Sequence, residues 1–332
     1  MRHELSFLLR ALGFGGCAAA LYPALISIAG FMLPAELTPN LKYPLNGYGH
    51  MRTRLIEAKG RDPVQIVFIG NSHVYRGFDT RVWARHGYTA FNLGSSAQSP
   101  MQGLLLARTQ LPALEPKLVL VEVHPGAFMS DGVESALDLI ANRPIDRHTL
   151  RMAAGIPNIL VWNTLAYGIV RKASGFDEGM PEPLRSEKDT YVPGGYVERK
   201  IGHFSPKGRP KPMPFAPSPE QWRAFEDLLK EIERQGVPVV LVEAPVTRWM
   251  REGIYREHDR FARMMAASGR YIDMYGKAAL DDSLHFYDHA HLNQRGAELF
   301  NAALIDTLRG RGWLPEPEAL RQASPRQAGQ GE

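Results

Sequence analysis

Short apolar runs rich in β-branched and aromatic residues recur along the chain and alternate with segments of helical length. In the N-terminal half these runs are VQIVFIG (64–70), YTAFNLG (88–94) and KLVLVEV (117–123), and PMQGLLLARTQLPAL (100–114) lies between the last two. Buried strands separated by helices pair in parallel through βαβ units. The pattern therefore predicts an α/β domain whose parallel sheet carries helices on both faces.

The same alternation returns in the C-terminal half. A capping box at Ser218, Pro219 and Gln221 predicts a helix through about Gln235. The later segments are expected to be a strand at 237–246, a helix at 256–268, a strand at 271–276 and a closing helix at 293–313. Both halves thus contribute to one sheet.

Residues 130–217, between the two halves, lack a steady period and are predicted to be an insertion. It contains a helical stretch near PNILVWNTLAYGIVRKA, and it is expected to determine specificity or to form a partner surface. The predicted organisation is a cytoplasmic N-terminus (1–10), a transmembrane anchor (11–35), a juxtamembrane spacer (36–60), the α/β domain (61–313) and a disordered tail (314–332).

The N-terminal segment decides the expected location. Arg2 and Arg10 precede an uncharged stretch from Ala11 to Ala35, which as a helix would be about 37 Å long, enough to cross a hydrocarbon core of about 30 Å. The positive-inside rule then places residues 36 onward outside the cytoplasm, as a periplasmic domain on the inner membrane. Cleavage at Cys17, as in a lipoprotein, and a buried helix of a soluble protein are the alternatives.

The composition excludes several kinds of protein. The 39 Lys and Arg residues exceed the 35 Asp and Glu residues by only four, and they are dispersed, so nucleic acid is not an expected partner. The single cysteine allows neither an intramolecular disulfide nor a zinc site built from cysteine pairs. No cofactor or metal is expected.

Ser72 lies two residues after Gly70, where the first predicted strand ends. Loops at the carboxyl ends of parallel strands form the ligand crevice, so this serine is a candidate nucleophile. The nucleophile elbow of α/β-hydrolases is disfavoured because Val74 stands at the position of its second glycine. Ser72 could instead cap the helix that follows it.

A serine nucleophile needs a base, and the base needs an orienting group. Asp288 and His291 are spaced so that both side chains lie on one side of a helical turn, where the carboxylate can accept from the imidazole. His289 is expected at the surface, and His285 stays a competing base. Asp288 could also cap the last helix. A metal site at Asp288, His289 and His291 is disfavoured because no fourth ligand is marked.

Three motifs together resemble a known family. IGNSH, then FNLGSSAQS, and finally Asp-x-x-His-Leu-Asn near the C-terminus are similar to the SGNH (GDSL-type) hydrolase superfamily. With the N-terminal anchor, the chain resembles membrane-tethered members associated with alginate O-acetylation and with D-alanyl transfer to teichoic acid. This resemblance implies a three-layer, flavodoxin-like parallel sheet.

The resemblance also implies roles for individual residues. Ser72 falls at the nucleophile, His291 at the base and Asp288 at the carboxylate. The second block, from Asn92 through Gly94 to Ala97, would contribute to the oxyanion hole or bind substrate, with Ala97 at the usual glycine position, where its amide could donate if its φ is negative.

The third block of the family normally ends in an asparagine, but here the strand runs into His124 and Gly126. His124 is therefore the candidate replacement donor. Glu122, which ends the strand, is expected either in a salt bridge or near the substrate, His73 as a packed neighbour of the loop, and Asn71 as a residue that holds the loop.

The expected function is a serine-dependent O-acyl esterase or acyltransferase acting on acyl groups of a cell-envelope polymer or exopolysaccharide. Its expected partners are an acylated carbohydrate, the membrane and a membrane-bound acyltransferase. The alternative is a catalytically degraded scaffold that binds a glycan or such an acyltransferase, which the missing third-block asparagine favours.

Overall fold

The structure is a computed structural model that describes residues 2–317. Its central feature is a five-stranded, fully parallel sheet in the order β2-β1-β3-β6-β7. The strands are β1 (Ile66–Ile69), β2 (Ala90–Asn92), β3 (Leu118–Glu122), β4 (Asp189–Val192), β5 (Tyr196–Arg199), β6 (Val239–Glu243) and β7 (Tyr271–Asp273), of which β4 and β5 form a separate antiparallel hairpin. The predicted α/β class and its five parallel strands are confirmed.

Helices cover both faces of the sheet and also extend beyond it. They are α1 (Arg2–Met32), α2 (Met51–Lys59), α3 (Ser72–Gly77), α4 (Thr80–Arg85), α5 (Pro100–Leu114), α6 (Pro125–Phe128), α7 (Val133–Asn142), α8 (Arg147–Ala154), α9 (Ile159–Ala173), α10 (Pro219–Arg234), α11 (Arg248–Gly253), α12 (His258–Ser268), α13 (Asp282–His285) and α14 (Gln294–Gly310). The predicted helices at 100–114, 256–268 and 293–313 correspond to α5, α12 and α14.

Alternating side chains of the sheet build two hydrophobic cores. On β1, Ile66 and Phe68 join the core formed with α4 and α14, whereas Val67 and Ile69 join the core formed with α5, α10 and α12. Successive side chains of a strand point to opposite faces, so each strand is buried on both sides and reads as a continuous apolar run. The result is a three-layer arrangement.

The insertion contains α7, α8, α9 and the β4–β5 hairpin. Its helices form a third core with α2 and the outer side of α5, in which Met51 and Leu55 are buried. The folded domain therefore begins before residue 61, and the stretch predicted as a spacer is partly structural. Sequence periodicity missed α2 because its buried face includes Arg54, a residue that a sequence pattern assigns to the surface.

The hairpin reaches the edge of the sheet through its glycine turn. The amide of Asn92 at the end of β2 donates to the carbonyl of Gly194 at 2.8 Å. The fully buried Arg54 donates through Nε to the carbonyl of Gly195 at 3.0 Å. The insertion is thus joined to the loops at the carboxyl ends of the strands.

The two chain ends differ from the predicted boundaries. Helix α1 runs from Arg2 to Met32, so it includes most of the stretch assigned to a cytoplasmic N-terminus, and it is long and apolar enough to cross a membrane. At the other end, Leu314 packs on the core and Gln65 donates to the carbonyl of Glu316, so residues 314–317 lie against the domain. The rest of the predicted tail, residues 318–332, lies outside the described residues.

The hairpin turn provides a test of this arrangement. A Cβ at Gly195, whose φ is +88°, would lie 2.3 Å from the carbonyl oxygen of Asn92. Gly195→Ala should therefore destabilise the protein by more than about 1 kcal/mol, because it combines an unfavourable φ with a backbone clash. Thermal unfolding measures the loss. The matched control is Gly236→Ala, with φ +74° and open space around its Cβ, and an equal loss in both variants would contradict the predicted clash.

Candidate active site

The candidate site lies where the two central strands end. The chain leaves β1 toward β2 on one side, and the following strand, β3, lies on the other side of β1. Ligands of open α/β sheets bind at such a switch point, outside the carboxyl ends of the strands. Ser72 follows β1 and His124 follows β3, so both flank this crevice.

Ser72 is the first residue of α3, a position set by its neighbour. The cap of this helix is Asn71, whose Oδ1 accepts from the amide of His73 at 2.8 Å. Asn71 thus holds the loop, as expected, and the capping role considered for Ser72 belongs to it. The Ser72 hydroxyl is consequently available for other contacts.

Ser72, His291 and Asp288 form a continuous hydrogen-bonded chain. Ser72 Oγ lies 2.7 Å from His291 Nε2, and His291 Nδ1 lies 2.9 Å from each carboxylate oxygen of Asp288. Because the carboxylate can only accept, Nδ1 carries the proton and Nε2 accepts from the serine hydroxyl. The side chains therefore meet in the order that a serine nucleophile, a base and an orienting carboxylate require.

A turn, rather than the expected helix, brings Asp288 and His291 together. Asp288 Oδ1 accepts from the amides of Ala290 and His291, each at 2.8 Å, which is an Asx turn. The cap of the last helix is Asn293 and not Asp288. The spacing of three residues thus places both side chains correctly by a different local geometry.

Burial and charge adjust the protonation of this pair. Burial lowers the pKa of His291 below its usual value, and the hydrogen bond to Asp288 opposes that shift only in part. Burial raises the pKa of Asp288, but the hydrogen bonds and charge of His291, together with two backbone amides, outweigh it and bring that pKa to about 2. At neutral pH the pair is a carboxylate beside a neutral imidazole, the state that a general base needs.

The two competing histidines lie elsewhere. His289 is exposed, as expected, and its ring lies 5.6 Å from that of Trp249. His285 accepts through Nδ1 from the amide of Asp281 within its own short helix. The hydrogen bond to Ser72 is made by His291.

The second block is held by hydrogen bonds within the protein. Asn92 donates through Nδ2 to the carbonyls of Val74 and Phe78, while its Oδ1 accepts from the amide of Gly94. These bonds occupy the side chain of Asn92 and the amide of Gly94, and a role of either group in binding an oxyanion or substrate stays a prediction. Ala97 has φ +46°, so the condition of a negative φ for its amide is not met.

A second layer of histidines lies behind the serine. His73 donates through Nδ1 to Glu122 Oε1 at 2.9 Å, and both side chains are buried. The ring centroid of His73 lies 4.7 Å from that of His124 and 5.4 Å from that of His291. Glu122 is therefore in a salt-bridge position, one of its two expected roles.

His124 presents a buried donor. Its Nδ1 accepts from the amide of Gly126 at 3.1 Å, so the proton of the neutral ring is on Nε2. Burial, followed by the nearby His73 and His291, holds the pKa of His124 well below its usual value. Nε2 is buried without a hydrogen-bond partner among residues 2–317. A buried donor without a partner is costly, and a bound acceptor would satisfy it.

The other side of His291 is covered by aromatic and cationic side chains. Sequence patterns did not indicate these residues. The Tyr287 ring stacks parallel to the imidazole at 5.4 Å, and the Arg199 guanidinium lies over Tyr287 at 4.6 Å. Arg76 of α3 pairs through two hydrogen bonds with Asp189. Arg199 and Asp189 belong to the β4–β5 hairpin. The hairpin thus packs on Tyr287 beside His291 and also holds α3 through Arg76.

One other group of side chains has metal-like spacing. Ligand atoms of Glu243, His258 and Asp273 lie within 4.8 Å of one another. Arg251 donates to both carboxylates, so its guanidinium already occupies acceptor oxygens that a metal ion would need and offsets part of their charge. We assign it a structural role at the ends of β6 and β7.

No family model and no curated protein matches the chain. Similar proteins were found among solved structures. A GDSL-like lipase from Bacteroides thetaiotaomicron is 12% identical with a TM-score of 0.39, over 79% of this chain and 98% of the other. An acetyl xylan esterase is 11% identical with a TM-score of 0.38, over 74% and 100%. A two-domain esterase active on acetylated mannans is 14% identical with a TM-score of 0.32, over 85% and 58%.

Each of these solved structures is under 25% identical to the chain and has a TM-score below 0.5, so they do not place the chain in a family. At TM-scores below 0.5 they add nothing to the geometry of Ser72, His291 and Asp288, which stands on this chain alone.

The protonation state of His291 can be measured. We expect its imidazole to titrate below 6.5, because burial disfavours the charged ring. Asp288→Asn should lower this pKa further, since it removes the carboxylate that stabilises the imidazolium. Nitrogen NMR of the histidine-labelled full chain follows both variants, with His291→Gln assigning the signal. A pKa at or above the usual value in the unsubstituted protein would contradict the burial argument.

Proposed function

We propose that this protein is a serine-dependent O-acyl esterase or acyltransferase acting on acyl groups of a cell-envelope polymer or exopolysaccharide. The observation that supports it is the hydrogen bond of 2.7 Å from the Ser72 hydroxyl to His291, whose other ring nitrogen donates to Asp288. This combination of a nucleophile, a neutral base and an orienting carboxylate suits acyl transfer through a covalent intermediate.

The proposed reaction has two halves. Ser72 Oγ attacks the ester carbonyl while its proton passes to His291 Nε2, and the imidazolium is stabilised by Asp288. Collapse of the tetrahedral intermediate breaks the ester bond, and His291 returns the proton to the leaving alcohol. Water or a sugar hydroxyl then attacks the acyl-enzyme, again with His291 as the base, and Ser72 is regenerated.

The proposed oxyanion donors are the amide of Ser72 and the Nε2 proton of His124. Ser72 opens α3, where amides of the first turn are available to anions. His124 lies in the loop after β3 and has a buried donor without a partner among residues 2–317. A neutral imidazole donor in this position would replace the missing asparagine of the third block.

The proposed location is the extracytoplasmic side of the inner membrane, with α1 as a single-pass anchor. A tether raises the effective concentration of the enzyme near a polymer that emerges from a membrane complex. This argument favours a sugar hydroxyl as the acceptor and a membrane-bound acyltransferase as a partner that supplies the acyl group.

The reaction is tested with the full chain and an activated acetyl ester in the presence of an oligosaccharide. We expect acetylated oligosaccharide to form faster than free acetate, and Ser72→Ala and His291→Ala to abolish both products. Asp288→Asn should lower kcat by up to about 10⁴-fold, because it favours the wrong tautomer of His291. Mass spectrometry of the sugar and release of acetate measure the two outcomes. Hydrolysis without acylated sugar, across several glycans, would leave an esterase that trims acyl groups.

Matched histidine variants test the oxyanion donor in the same assay. His124→Ala should lower kcat about 10²–10³-fold, the usual loss for one oxyanion donor, whereas the exposed His289→Ala should leave it unchanged. A fluorophosphonate probe should label Ser72 in the unsubstituted protein and not in Ser72→Ala. Failure of the folded protein to react with the probe would favour the non-catalytic scaffold instead.

Reporters fused to the C-terminus of the full chain test the orientation. Alkaline phosphatase should be active, because Arg2 and Arg10 hold the N-terminus in the cytoplasm. A reporter that folds only in the cytoplasm should be silent, and the control lacking residues 1–35 should reverse both signals. The reversed pattern in the full chain would rule out an extracytoplasmic domain.

A further inference from the structure

Helix α9 of the insertion packs directly against the C-terminal third of α1. The Tyr22 hydroxyl donates to Asn163 Oδ1 at 2.9 Å, and the Tyr167 hydroxyl donates to the carbonyl of Gly30 at 2.9 Å. The ring of Phe31 also lies 5.1 Å from that of Tyr167, edge to face. The domain is therefore not suspended from α1 by a linker but attached along about two turns of it.

This attachment fixes the depth of α9 relative to the proposed span. Arg10 marks the inner boundary, and the 20 residues from there to Gly30 rise about 30 Å, the thickness of a hydrocarbon core. Placing the span nearer the N-terminus would bring Arg10 and Glu4 into hydrocarbon, which is costly. Tyr22 and Gly30 thus lie at or inside the outer boundary, and α9 lies beside them.

The outward face of α9 is apolar, as expected for a helix that lies beside the membrane. Ile159, Trp162, Ala166, Ile169 and Val170 recur at helical spacing and form one stripe, hereafter the α9 stripe. Ile159 is 55% exposed, Trp162 44% and Ile169 46%. An exposed helix face without a polar side chain is unusual beside water, whereas apolar residues with a tryptophan are typical of a membrane interface.

The polar side chains in the middle of α9 are satisfied within the protein. Asn163 Nδ2 donates to the carbonyl of Asn40 at 2.8 Å, and its Oδ1 accepts from Tyr22. Thr164 donates to the carbonyl of Lys42 and accepts from its amide. Groups that lie near hydrocarbon need internal partners, because no water is present to supply them.

We propose that the α9 stripe lies in the lipid bilayer, among the acyl chains and headgroups of the leaflet on the domain's side. The insertion is then a second, monotopic membrane contact beside the anchor, and together they hold the domain in one orientation over the membrane. This inference rests on the proposed anchor, and it commits to lipid rather than to a protein as the occupant of the α9 stripe.

Depth-dependent fluorescence quenching tests it on the full chain, one copy per lipid nanodisc, with phosphatidylcholine and phosphatidylglycerol as the only lipids. An environment-sensitive dye is attached to Trp162→Cys or Ile169→Cys, each in a Cys17→Ser background. The native Cys17 reports on α1, and Ala266→Cys, exposed on α12 and also in the Cys17→Ser background, is the matched surface control. The lipids contain a nitroxide either near the headgroup or near the end of the acyl chain.

We expect the α9 stripe labels to lose fluorescence with at least one of the two nitroxides, Cys17 with the deep one, and Ala266→Cys with neither. Labels on the α9 stripe that behave like Ala266→Cys while Cys17 is quenched would overturn the inference and leave the anchor standing. If Cys17 is also unquenched, α1 does not lie in the membrane, and both the proposed anchor and this inference are overturned. The dye on the α9 stripe could also move to an apolar environment, without quenching by either nitroxide, only in discs with two copies or only after a membrane protein is added. That result would identify the α9 stripe as a protein interface and overturn the lipid assignment.

Discussion

The position of Ser72 depends on one buried amide side chain. Asn92 has no exposed surface, and its side chain bonds to two carbonyls of the α3 region, of Val74 and Phe78, and to the amide of Gly94. Its own backbone amide bonds to Gly194 in the hairpin turn. One residue therefore connects a strand, the helix that begins with Ser72, the following loop and the insertion. Loss of any one of these bonds would leave a buried polar group unpaired, which makes the arrangement cooperative.

The electrostatics of the site follow from packing three imidazoles together. The ring centroid of His73 lies 4.7 Å from that of His124 and 5.4 Å from that of His291, and burial lowers the pKa of His124 and of His291. Two carboxylates divide the task of orienting them, since Glu122 accepts from His73 and Asp288 accepts from His291. The ring of His291 that contacts Ser72 is thus neutral and placed to take a proton, and the neutral ring of His124 has a donor without a partner among residues 2–317.

Local sequence patterns predicted the sheet and the serine, histidine and carboxylate contacts, and they did so for a physical reason. Strands buried on both faces read as apolar runs, the loop after β1 lies at the ligand-binding edge of the sheet, and the three-residue spacing of Asp288 and His291 brings their side chains together. What they missed depends on contacts between distant residues. The hydrogen bond of Arg54 to Gly195 spans 141 positions, and no local period marks either partner. In the second block, the motif gives the residue types but neither the φ of Ala97 nor the bonds that Asn92 makes.

Helix α14 holds the end of α3, the helix that begins with Ser72. Asn301 of α14 donates to the carbonyl of Gly77 at the end of α3, and it accepts from the indole of Trp83. Ser72 and His291 are 219 positions apart, so a chain still being made presents its serine long before the base and this support exist. A domain folds as a unit once its segments have emerged. The order of synthesis therefore keeps Ser72 from contacting His291 until nearly the whole domain has been made.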